Sequence, residues 1–508
     1  MTGPAAAGPP TGAETDAAVL LPVTYLEEER FGAVDSRASD HNLPLAIDIR
    51  GPLDQERLLN SLRALTERHE TLRMAFRPGE EGLSRAVWPA VEPCVVTADL
   101  TGHFPDDTAG DSGHTGHTGD TGDGSVDGSV DGTVDGSVYG SVDGSVDGTV
   151  RERDRQLDSL ILAEARSPTD LTRPPLWRGV LVRLSPVHHV LITNWHHVIF
   201  DGWSSRVVFR DLASLYASAL RDERSPLPEP EIQLADYAGW EREMRVPDDA
   251  AAYWRGALPG EATALPVEAD GAHGPQVLAG RPYPAVPAAQ VGRLEEIARD
   301  HGVSLTSVLR AVVLTALRPY LPEQPVIGCV YANRERPELQ PVIGLLSDHL
   351  PVRIDLSGGP SFLDLSVRVH EAVRTARRHQ LPSGVITGAV RPLADGEQLF
   401  DVSINNMRQA APLVERVTGP DGAVLTFSVR DVPSTDLWPR ISRPFSGGAR
   451  LGYQLRRTLS GALTGEIWGQ VPAFRTTTID ALGRTLARTT GMIASDPGRD
   501  VTAYSAAG

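Results

Sequence analysis

The sequence of 508 residues contains no lysine, and all 48 of its basic residues are arginines. Enzymes that form Schiff bases, bind nucleotides with a P-loop or adenylate a substrate with a catalytic lysine all need that side chain. The composition therefore excludes activation of an acyl group with ATP by a lysine-dependent route. Arginine together with abundant alanine, glycine and proline is typical of GC-rich coding and indicates a bacterial gene.

Cysteine is nearly absent, because only Cys94 and Cys329 occur and no CxxC pair is present. This argues against a disulfide framework or a zinc knuckle, and we expect no bound metal. No apolar run is long enough to span a membrane, and residues 1–17 lack the basic and apolar parts of a signal peptide. The net charge of −18 disfavours nucleic acid, which needs a basic surface. We therefore expect a cytoplasmic protein that binds neither membranes nor nucleic acid.

The most informative segment is HHVIFDGWS, which lies between a predicted strand and a predicted helix. Residues 190–195 are apolar and rich in β-branched side chains, and residues 204–220 have apolar positions at helical spacing. Adjacent side chains on an extended segment point in opposite directions, so only one of the two histidines faces a given cavity. We expect His197 to face a substrate and His196 to pack or hydrogen-bond behind it.

An imidazole near neutral pH can accept or donate a proton, which suits acyl transfer. Asp201 could orient His197 as a triad carboxylate does, or it could turn away and pair with an arginine. Gly202 allows the turn into the following helix. A bare pair of histidines is more often a satisfied core pair, but the complete string with Trp203 behind it favours a functional site.

The HHVIFDGWS segment resembles the HHxxxDG motif of condensation domains from nonribosomal peptide synthetases, which belong to the chloramphenicol-acetyltransferase-like superfamily. Residues 68–76, RHETLRMAF, resemble the second motif of that family. Residues 234–240 and 343–353 are similar to its fourth and fifth motifs. The resemblance covers about residues 18–500, apart from an insert.

The resemblance implies an α/β (α+β) fold of two chloramphenicol-acetyltransferase-like lobes, arranged as a V-shaped pseudo-dimer around a central active-site tunnel. Changes in composition place the N-terminal lobe at residues 18–257, a linker at 258–280 and the C-terminal lobe at 281–500. Residues 106–150 contain ten aspartates and no basic residue in a repeat of about four residues. Such a sequence cannot bury a core, and we predict a disordered insert there. Residues 1–17 are predicted to be disordered as well, and 501–508 to form a tail.

The family also suggests partners for the motif. An arginine of the second motif pairs with the aspartate of HHxxxDG in the family, so Arg68 or Arg73 is the implied partner of Asp201. Peptide-forming condensation domains usually have an Asn-Thr pair where this chain has Asp348-His349, which either changes the tolerated acceptor or is purely structural. The candidates for the tunnel and substrate site are Trp203, Ser204, Asn333, Asp348 and His349.

By resemblance, the enzyme transfers an acyl or aminoacyl group from a carrier-protein thioester to an amine or alcohol, forming an amide or an ester. The acceptor is a small molecule or a carrier-bound group. His197 acts as a general base, or it positions the acceptor and stabilises the tetrahedral intermediate. The phosphopantetheine arm of the acyl or peptidyl carrier protein is a substrate, and no intrinsic cofactor is expected. Adenylation and carrier segments are missing from this sequence, so we expect a free-standing enzyme of antibiotic or other natural-product biosynthesis, and the alternative is a piece excised from a larger synthetase.

Two other functions use the same fold. An O- or N-acyltransferase that takes free acyl-CoA would keep the histidine without needing a carrier. A catalytically inactive recruitment platform is the second, but the known platforms have a damaged core motif, whereas this one is intact. Transfer assays with carrier-bound and free CoA donors would separate these functions.

Overall fold

The structure is a computed structural model that describes residues 18–33, 42–101, 144–258, 265–266, 277–390, 392, 399–407, 413–430, 449–458, 460–471 and 473–504. The strands are β1 (Val19–Leu21), β2 (Asn42–Arg50), β3 (Met74–Gly79), β4 (Gly82–Val87), β5 (Val95–Asp99), β6 (Trp177–Ser185), β7 (His188–His196), β8 (Val277–Pro282), β9 (Val326–Tyr331), β10 (Asp348–Arg353), β11 (Val402–Met407), β12 (Val414–Thr418), β13 (Val424–Val429), β14 (Leu451–Arg457) and β15 (Leu463–Val471). The helices are α1 (Tyr25–Ala33), α2 (Gln55–Arg68), α3 (Gly144–Arg166), α4 (Ser204–Leu220), α5 (Leu234–Glu243), α6 (Asp248–Ala257), α7 (Ala288–Asp300), α8 (Leu305–Ala316), α9 (Phe362–Arg378), α10 (Ser383–Val385) and α11 (Thr476–Ser495).

The sheet of the N-terminal lobe has the strand order β12-β13-β2-β7-β6-β5. Its central strand β7 pairs antiparallel with β2 along nine residues, from Arg50↔His188 to Asn42↔His196. Helices α2 and α4 pack on one face through Leu62 and Leu212, and α3 packs on the other face through Ile161. Every residue of β7 is buried, which explains why this strand is apolar at consecutive rather than alternate positions.

The second large sheet has the order β10-β9-β11-β14-β15-β8, and a three-stranded sheet β1-β4-β3 lies beside the first lobe. Helices α7, α8, α9 and α11 join the second sheet in one apolar core, which contains Ile327, Ile404 and Ile467. Because side chains alternate along a strand, the neighbours of these isoleucines project from the opposite face of the sheet. That opposite face carries His349 and Ser403, which belong to the site described below. The mixed α/β fold with two lobes confirms the predicted fold class.

The hairpin β12–β13 corrects the predicted boundary of the C-terminal lobe at 281–500. Strand β13 pairs antiparallel with β2, from Thr426↔Arg50 to Val429↔Ile47, and so extends the sheet of the N-terminal lobe. Phe427 of this hairpin lies in the core of that lobe. An alternating apolar pattern fits the edge of either sheet, so the sequence contains no local signal that this hairpin joins the sheet of the N-terminal lobe.

Three other predicted boundaries also differ. Helix α3 begins at Gly144, inside the predicted insert 106–150, and β8 begins at Val277, inside the predicted linker 258–280. Val501 and Tyr504 are fully buried, so the C-terminal lobe continues into the predicted tail 501–508. The predictions for residues 1–17 and most of the insert lie outside the described residues. No helix in the described ranges is long and apolar enough to cross a membrane.

Candidate active site

The HHxxxDG loop connects the end of β7 to the start of α4. Trp195, the residue before the two histidines, stacks on Trp177 with ring centroids 4.8 Å apart and on Phe200 with centroids 4.7 Å apart. Phe200 is therefore folded back onto the sheet, and the intervening residues form a tight turn. Packing of this kind fixes the direction in which each histidine side chain leaves the backbone.

His196 and His197 leave the loop in opposite directions. His196 is 1 % exposed, and its Nδ1 accepts a hydrogen bond of 3.2 Å from the Val198 amide. His197 is only partly buried, and its Nδ1 lies 2.7 Å from the carbonyl oxygen of Phe200. A carbonyl oxygen can only accept, so Nδ1 carries the proton and Nε2 keeps its lone pair. Which imidazole contacts the substrate stays a prediction, but His197 is the more exposed of the two.

The electrostatic surroundings keep His197 neutral. Burial is the largest effect and the positive charge of Arg30 on α1 is the second, and together they lower the pKa of His197 to about 4. The hydrogen bond to Phe200 and the charge of Asp201 oppose this change only partly. The imidazole is therefore uncharged at neutral pH.

Asp201 turns away from His197 and joins the two lobes. Its carboxylate accepts hydrogen bonds from Ser204 N and Oγ, both at 2.8 Å, and from Ser347 N and Oγ at 3.0 and 2.9 Å. Its Oδ2 lies 3.1 Å from Nη1 of Arg334. Burial alone would raise the pKa of Asp201, but the charge of Arg334 and these hydrogen bonds outweigh it and lower the pKa. Asp201 is thus an anchor for the loop rather than the third member of a triad.

The implied pairing of Asp201 with Arg68 or Arg73 is wrong. Arg68 Nε lies 3.4 Å from the carboxylate of Asp211 on the neighbouring helix α4, and Arg73 donates to the carbonyl of Trp88. The end of α2 packs beside α4, which brings Arg68 to the first acid on that helix. The partner that pairs with Asp201 comes instead from the loop after β9 in the other lobe.

Ser204, Trp203 and Gly202 complete the loop. Ser204 is fully buried, and its hydroxyl lies 3.0 Å from both the amide nitrogen and the carbonyl oxygen of Gly344, so it does not line the tunnel as predicted. The indole Nε1 of Trp203 donates to the carbonyl oxygen of Gln340 at 2.9 Å. Both contacts cross between the lobes, whereas Gly202 is exposed. These residues hold the loop against the second lobe.

Asp348 and Asn333 have structural partners. Asp348 is 2 % exposed and accepts hydrogen bonds from Ser383 N at 2.8 Å and Ser383 Oγ at 2.7 Å, which fixes the start of α10. Burial raises the pKa of Asp348. Asn333 donates to the hydroxyl of Tyr237 at 2.9 Å and so connects the loop after β9 to α5. Both side chains are therefore engaged in contacts within the protein.

His349 lies close to His197. Its Nε2 lies 3.0 Å from Ser403 Oγ, and its ring packs on Phe400 with centroids 5.2 Å apart. Burial lowers the pKa of His349 to about 3, and the charges of Arg30 and His197 contribute in the same direction. The two imidazoles and the Arg30 guanidinium are therefore close enough to interact electrostatically. The departure from the Asn-Thr pair places a neutral imidazole near His197, whereas the Asp348 carboxylate is bonded to Ser383.

Sequence reasoning missed Arg30, Arg334 and Ser403. Arg334 and Arg30 had no local signal, since each acts on residues distant in the chain. Ser403 is a polar residue inside the apolar segment FDVSI, and its position in a strand could have marked it as a residue of the polar face. In the described ranges, no group of three His, Cys, Asp or Glu side chains could hold a metal ion.

Two lobes joined at an HHxxxDG loop define a chloramphenicol-acetyltransferase-like protein. The family model described as Condensation domain matches residues 145–435, more than half of the sequence. The chain therefore belongs to the condensation-domain family, as the resemblance predicted.

The curated relatives are nonribosomal peptide synthetases. One of the linear gramicidin synthase proteins of Brevibacillus parabrevis is 29% identical over 391 residues, which are 72% of this chain and 6% of that synthase protein. Phosphinothricin tripeptide synthetase PhsC from Streptomyces viridochromogenes is 27% identical over 485 residues, which are 91% of this chain and 38% of the synthetase. The chain thus spans less than half the length of both relatives.

Two solved structures share the fold over nearly their whole length. The X-domain from teicoplanin biosynthesis superposes with a TM-score of 0.71 at 23% identity, covering 98% of this chain and 99% of that one. SgcC5 from Streptomyces globisporus also has a TM-score of 0.71, at 21% identity, covering 94% of this chain and 100% of that one. Its crystal structure contains (R)-(-)-1-(2-naphthyl)-1,2-ethanediol and sucrose.

Proposed function

We propose that this protein transfers an acyl or aminoacyl group from the phosphopantetheine thioester of a carrier protein to an amine or alcohol. The observation that carries the proposal is the hydrogen bond between His197 Nδ1 and the Phe200 carbonyl. It fixes the tautomer that leaves Nε2 unprotonated and able to accept the proton of an attacking N–H or O–H group. The proposed reaction needs no intrinsic cofactor.

The reaction balances with these groups alone. The acceptor nitrogen or oxygen attacks the thioester carbonyl, and His197 Nε2 takes the proton of the acceptor. The tetrahedral intermediate then expels the pantetheine sulfur, which receives that proton and leaves as a thiol. The products are an amide or ester and the free carrier thiol.

The low pKa of His197 favours an amine acceptor. A neutral amine attacks first and loses its proton afterwards, from a positively charged nitrogen that gives it up readily. An alcohol must lose its proton during attack, and an imidazole whose pKa is about 4 is a weak base for that step. Amide formation is therefore the first reaction to test, with ester formation as the alternative.

The relatives supply the proposed partners. Peptide synthetases such as the linear gramicidin synthases support a carrier-protein donor, and an intact HHxxxDG loop supports catalysis. Another solved complex joins the teicoplanin X-domain to OxyB, so the same fold also serves as a binding partner. The neutral His197 with its open Nε2 favours catalysis over recruitment here.

Intact-mass spectrometry of acyl-loaded carrier proteins, mixed with the protein and a panel of amines and alcohols, tests the proposal. Transfer should occur from carrier donors and fall by about 10²- to 10⁴-fold in His197→Ala. His301→Ala is the matched control, because the Nδ1 of His301 also bonds to a backbone carbonyl, Ile297 O, on an exposed helix end. Turnover of free acyl-CoA in place of carrier donors would make it an acyl-CoA acyltransferase, and binding of a carrier without any transfer would favour a platform.

A further inference from the structure

Strand β15 projects three side chains from the polar face of the second sheet. Ile467 lies in the apolar core, so Glu466, Trp468 and Gln470 point the other way. Glu466 and Gln470 are each 4 % exposed, and Trp468 is partly buried. Buried polar side chains are normally hydrogen-bonded within the protein. Glu466 and Gln470 are exceptions, and the carboxylate of Glu466 is the one that points to a ligand.

Within the described part of the chain, the buried carboxylate of Glu466 has no hydrogen-bond partner. Neither oxygen bonds to a residue of the described ranges, and neither is among the sealed polar atoms that lack a partner, so both keep some accessible surface. The positive charge of Arg456 lowers the pKa of Glu466, but these two described side chains do not form an ion pair. Burial raises the pKa of Glu466 to about 8 against the opposing charge of Arg456.

Trp468 and Gln470 lie beyond Glu466 on the same face of the strand. The Nε2 of Gln470 is sealed and has no partner among the described residues. The indole of Trp468 lies across Gly452, where a Cβ would come within 1.9 Å of Trp468 Cε2. The aromatic ring therefore occupies the space that the missing side chain of Gly452 leaves open, next to the Glu466 carboxylate on the same strand face.

Trp468 lies on the same face of the second sheet as Ser403 of the candidate active site. Ser403 is paired with Gly452 and Gly452 with Trp468, so all three share one row across the sheet. Two strand spacings, or about 10 Å, separate Ser403 from Trp468. Ser403 contacts His349, which lies beside His197. Glu466 lies two residues before Trp468 on the same strand face, opposite Gln454. A substrate at His197 that extends past Trp468 would therefore reach Glu466.

We propose that Glu466 and Trp468 form a binding site for a positively charged group of the substrate, such as an ammonium or guanidinium remote from the reacting carbonyl. A cation would give the Glu466 carboxylate the partner that the described residues do not provide, and the face of an indole attracts cations. The inference rests on the proposed function, because it assigns Glu466 and Trp468 to the binding of the acyl-transfer substrate.

Calorimetric binding of isosteric probe pairs tests this site without any turnover. The donor pair is pantetheine carrying an aminohexanoyl or a heptanoyl group through a stable amide, and the acceptor pair is aminopentanol and hexanol. At least one ammonium probe should bind the wild type about tenfold more tightly than its neutral isostere, as a hydrogen bond to a charged group implies. Glu466→Gln should abolish that preference and leave the affinity of the neutral probe unchanged.

The matched control is Glu415→Gln, which removes an exposed strand glutamate and should keep the preference. The preference should grow between pH 6 and pH 9, since Glu466 ionises in that range while the amine stays protonated. Equal affinities within both pairs, or a preference that survives Glu466→Gln, would overturn the site. A preference that depends on Glu466 in a protein that transfers no acyl group would uphold the site and refute the proposed reaction.

Discussion

Asp201 and Arg334 form a buried ion pair between the two lobes, with Oδ2 and Nη1 3.1 Å apart and both side chains about 1% exposed. Asp201 belongs to the HHxxxDG loop, and Arg334 follows β9 in the second lobe. The same carboxylate also accepts hydrogen bonds from the amides of Leu346 and Ser347 at 3.2 and 3.0 Å. The geometry of His197 is therefore tied to the relative position of the lobes.

Replacing one member of this pair should destabilise the protein strongly. Arg334→Met leaves an ionised carboxylate buried without its main counter-charge, which costs about 3–5 kcal/mol of unfolding free energy. Equilibrium denaturation measures the loss. Asp480→Asn breaks the surface pair with Arg281 and should cost no more than about 1 kcal/mol. Equal effects of both variants would show that the buried pair does not hold the lobes together.

The sequence was sufficient for the local part of the site. The apolar run before His196 predicted a strand, the spacing after Ser204 predicted a helix, and both elements exist. Alternation then separated a packed His196 from a more exposed His197. These inferences succeed because they depend on neighbours in the chain, where periodicity determines the geometry.

The contacts between distant segments could not be predicted in the same way. Arg334 lies 133 positions from Asp201, and nothing in its local sequence distinguishes it from the other arginines. The pairing of Phe427 with Ile49 is equally remote, because a strand edge accepts any alternating partner. The family resemblance pointed to Arg68, whose nearest acid in the structure is Asp211. Long-range electrostatic pairing follows from the fold and not from the pattern.

His349 and Ser403 should set the choice of acceptor. Removing their hydrogen bond in Ser403→Ala frees Nε2 of His349 and should change the ratio of kcat/KM for amine and alcohol acceptors by about five- to tenfold. His349→Asn should change the ratio in the same direction, with an effect smaller than the sum in the double variant. A shift in KM with constant kcat would identify binding of the acceptor as the affected step.

Asp348→Asn is the matched control for that experiment. It alters the residue beside His349 but acts on the contacts with Ser383, so it should lower stability and leave the acceptor ratio unchanged. If Asp348→Asn moves the ratio as much as His349→Asn does, the departure from Asn-Thr acts through the backbone and not through the imidazole.

Glu241 should make the stability depend on pH. It is 2 % exposed and accepts a hydrogen bond from the amide of Tyr25 at 2.7 Å, and burial raises its pKa to about 7 from an ordinary value of 4.5. Its stabilising effect is complete below the unfolded pKa and disappears as the pH rises through the folded pKa. The wild type should therefore lose up to about 3 kcal/mol of unfolding free energy, relative to Glu241→Gln, between pH 5 and pH 8.

Glutamine keeps an acceptor for the Tyr25 amide, so any difference between the two proteins isolates the ionisation. Denaturant titrations at several pH values measure it. Parallel pH profiles for the wild type and Glu241→Gln would contradict the prediction, because they would mean that Glu241 ionises equally in the folded and unfolded states.

Gly51 and Gly82 offer a matched test of how the hairpin β12–β13 is held against the sheet of the N-terminal lobe. Both have left-handed backbones, with φ of +118° and +114°. A Cβ at Gly51 would lie 2.5 Å from Val424 O at the start of β13, whereas a Cβ at Gly82 would meet no atom of the described residues within 4 Å. Gly82→Ala should therefore cost only the backbone strain, about 1–3 kcal/mol, and Gly51→Ala should cost more.

The additional destabilisation caused by Gly51→Ala should come from weaker pairing between the hairpin β12–β13 and β2. Displacing Val424 separates β13 from β2, so amide hydrogen exchange in residues 424–429 should accelerate, because those amides lie in the strand that pairs with residues 47–50. Gly82→Ala should leave exchange in 424–429 unchanged, since Gly82 is the first residue of β4 and belongs to a different sheet. Equal destabilisation by the two variants, with no change in hairpin exchange, would show that β13 tolerates a side chain at position 51. In that case the contact between β2 and β13 would not be what holds the hairpin β12–β13 in the sheet of the N-terminal lobe.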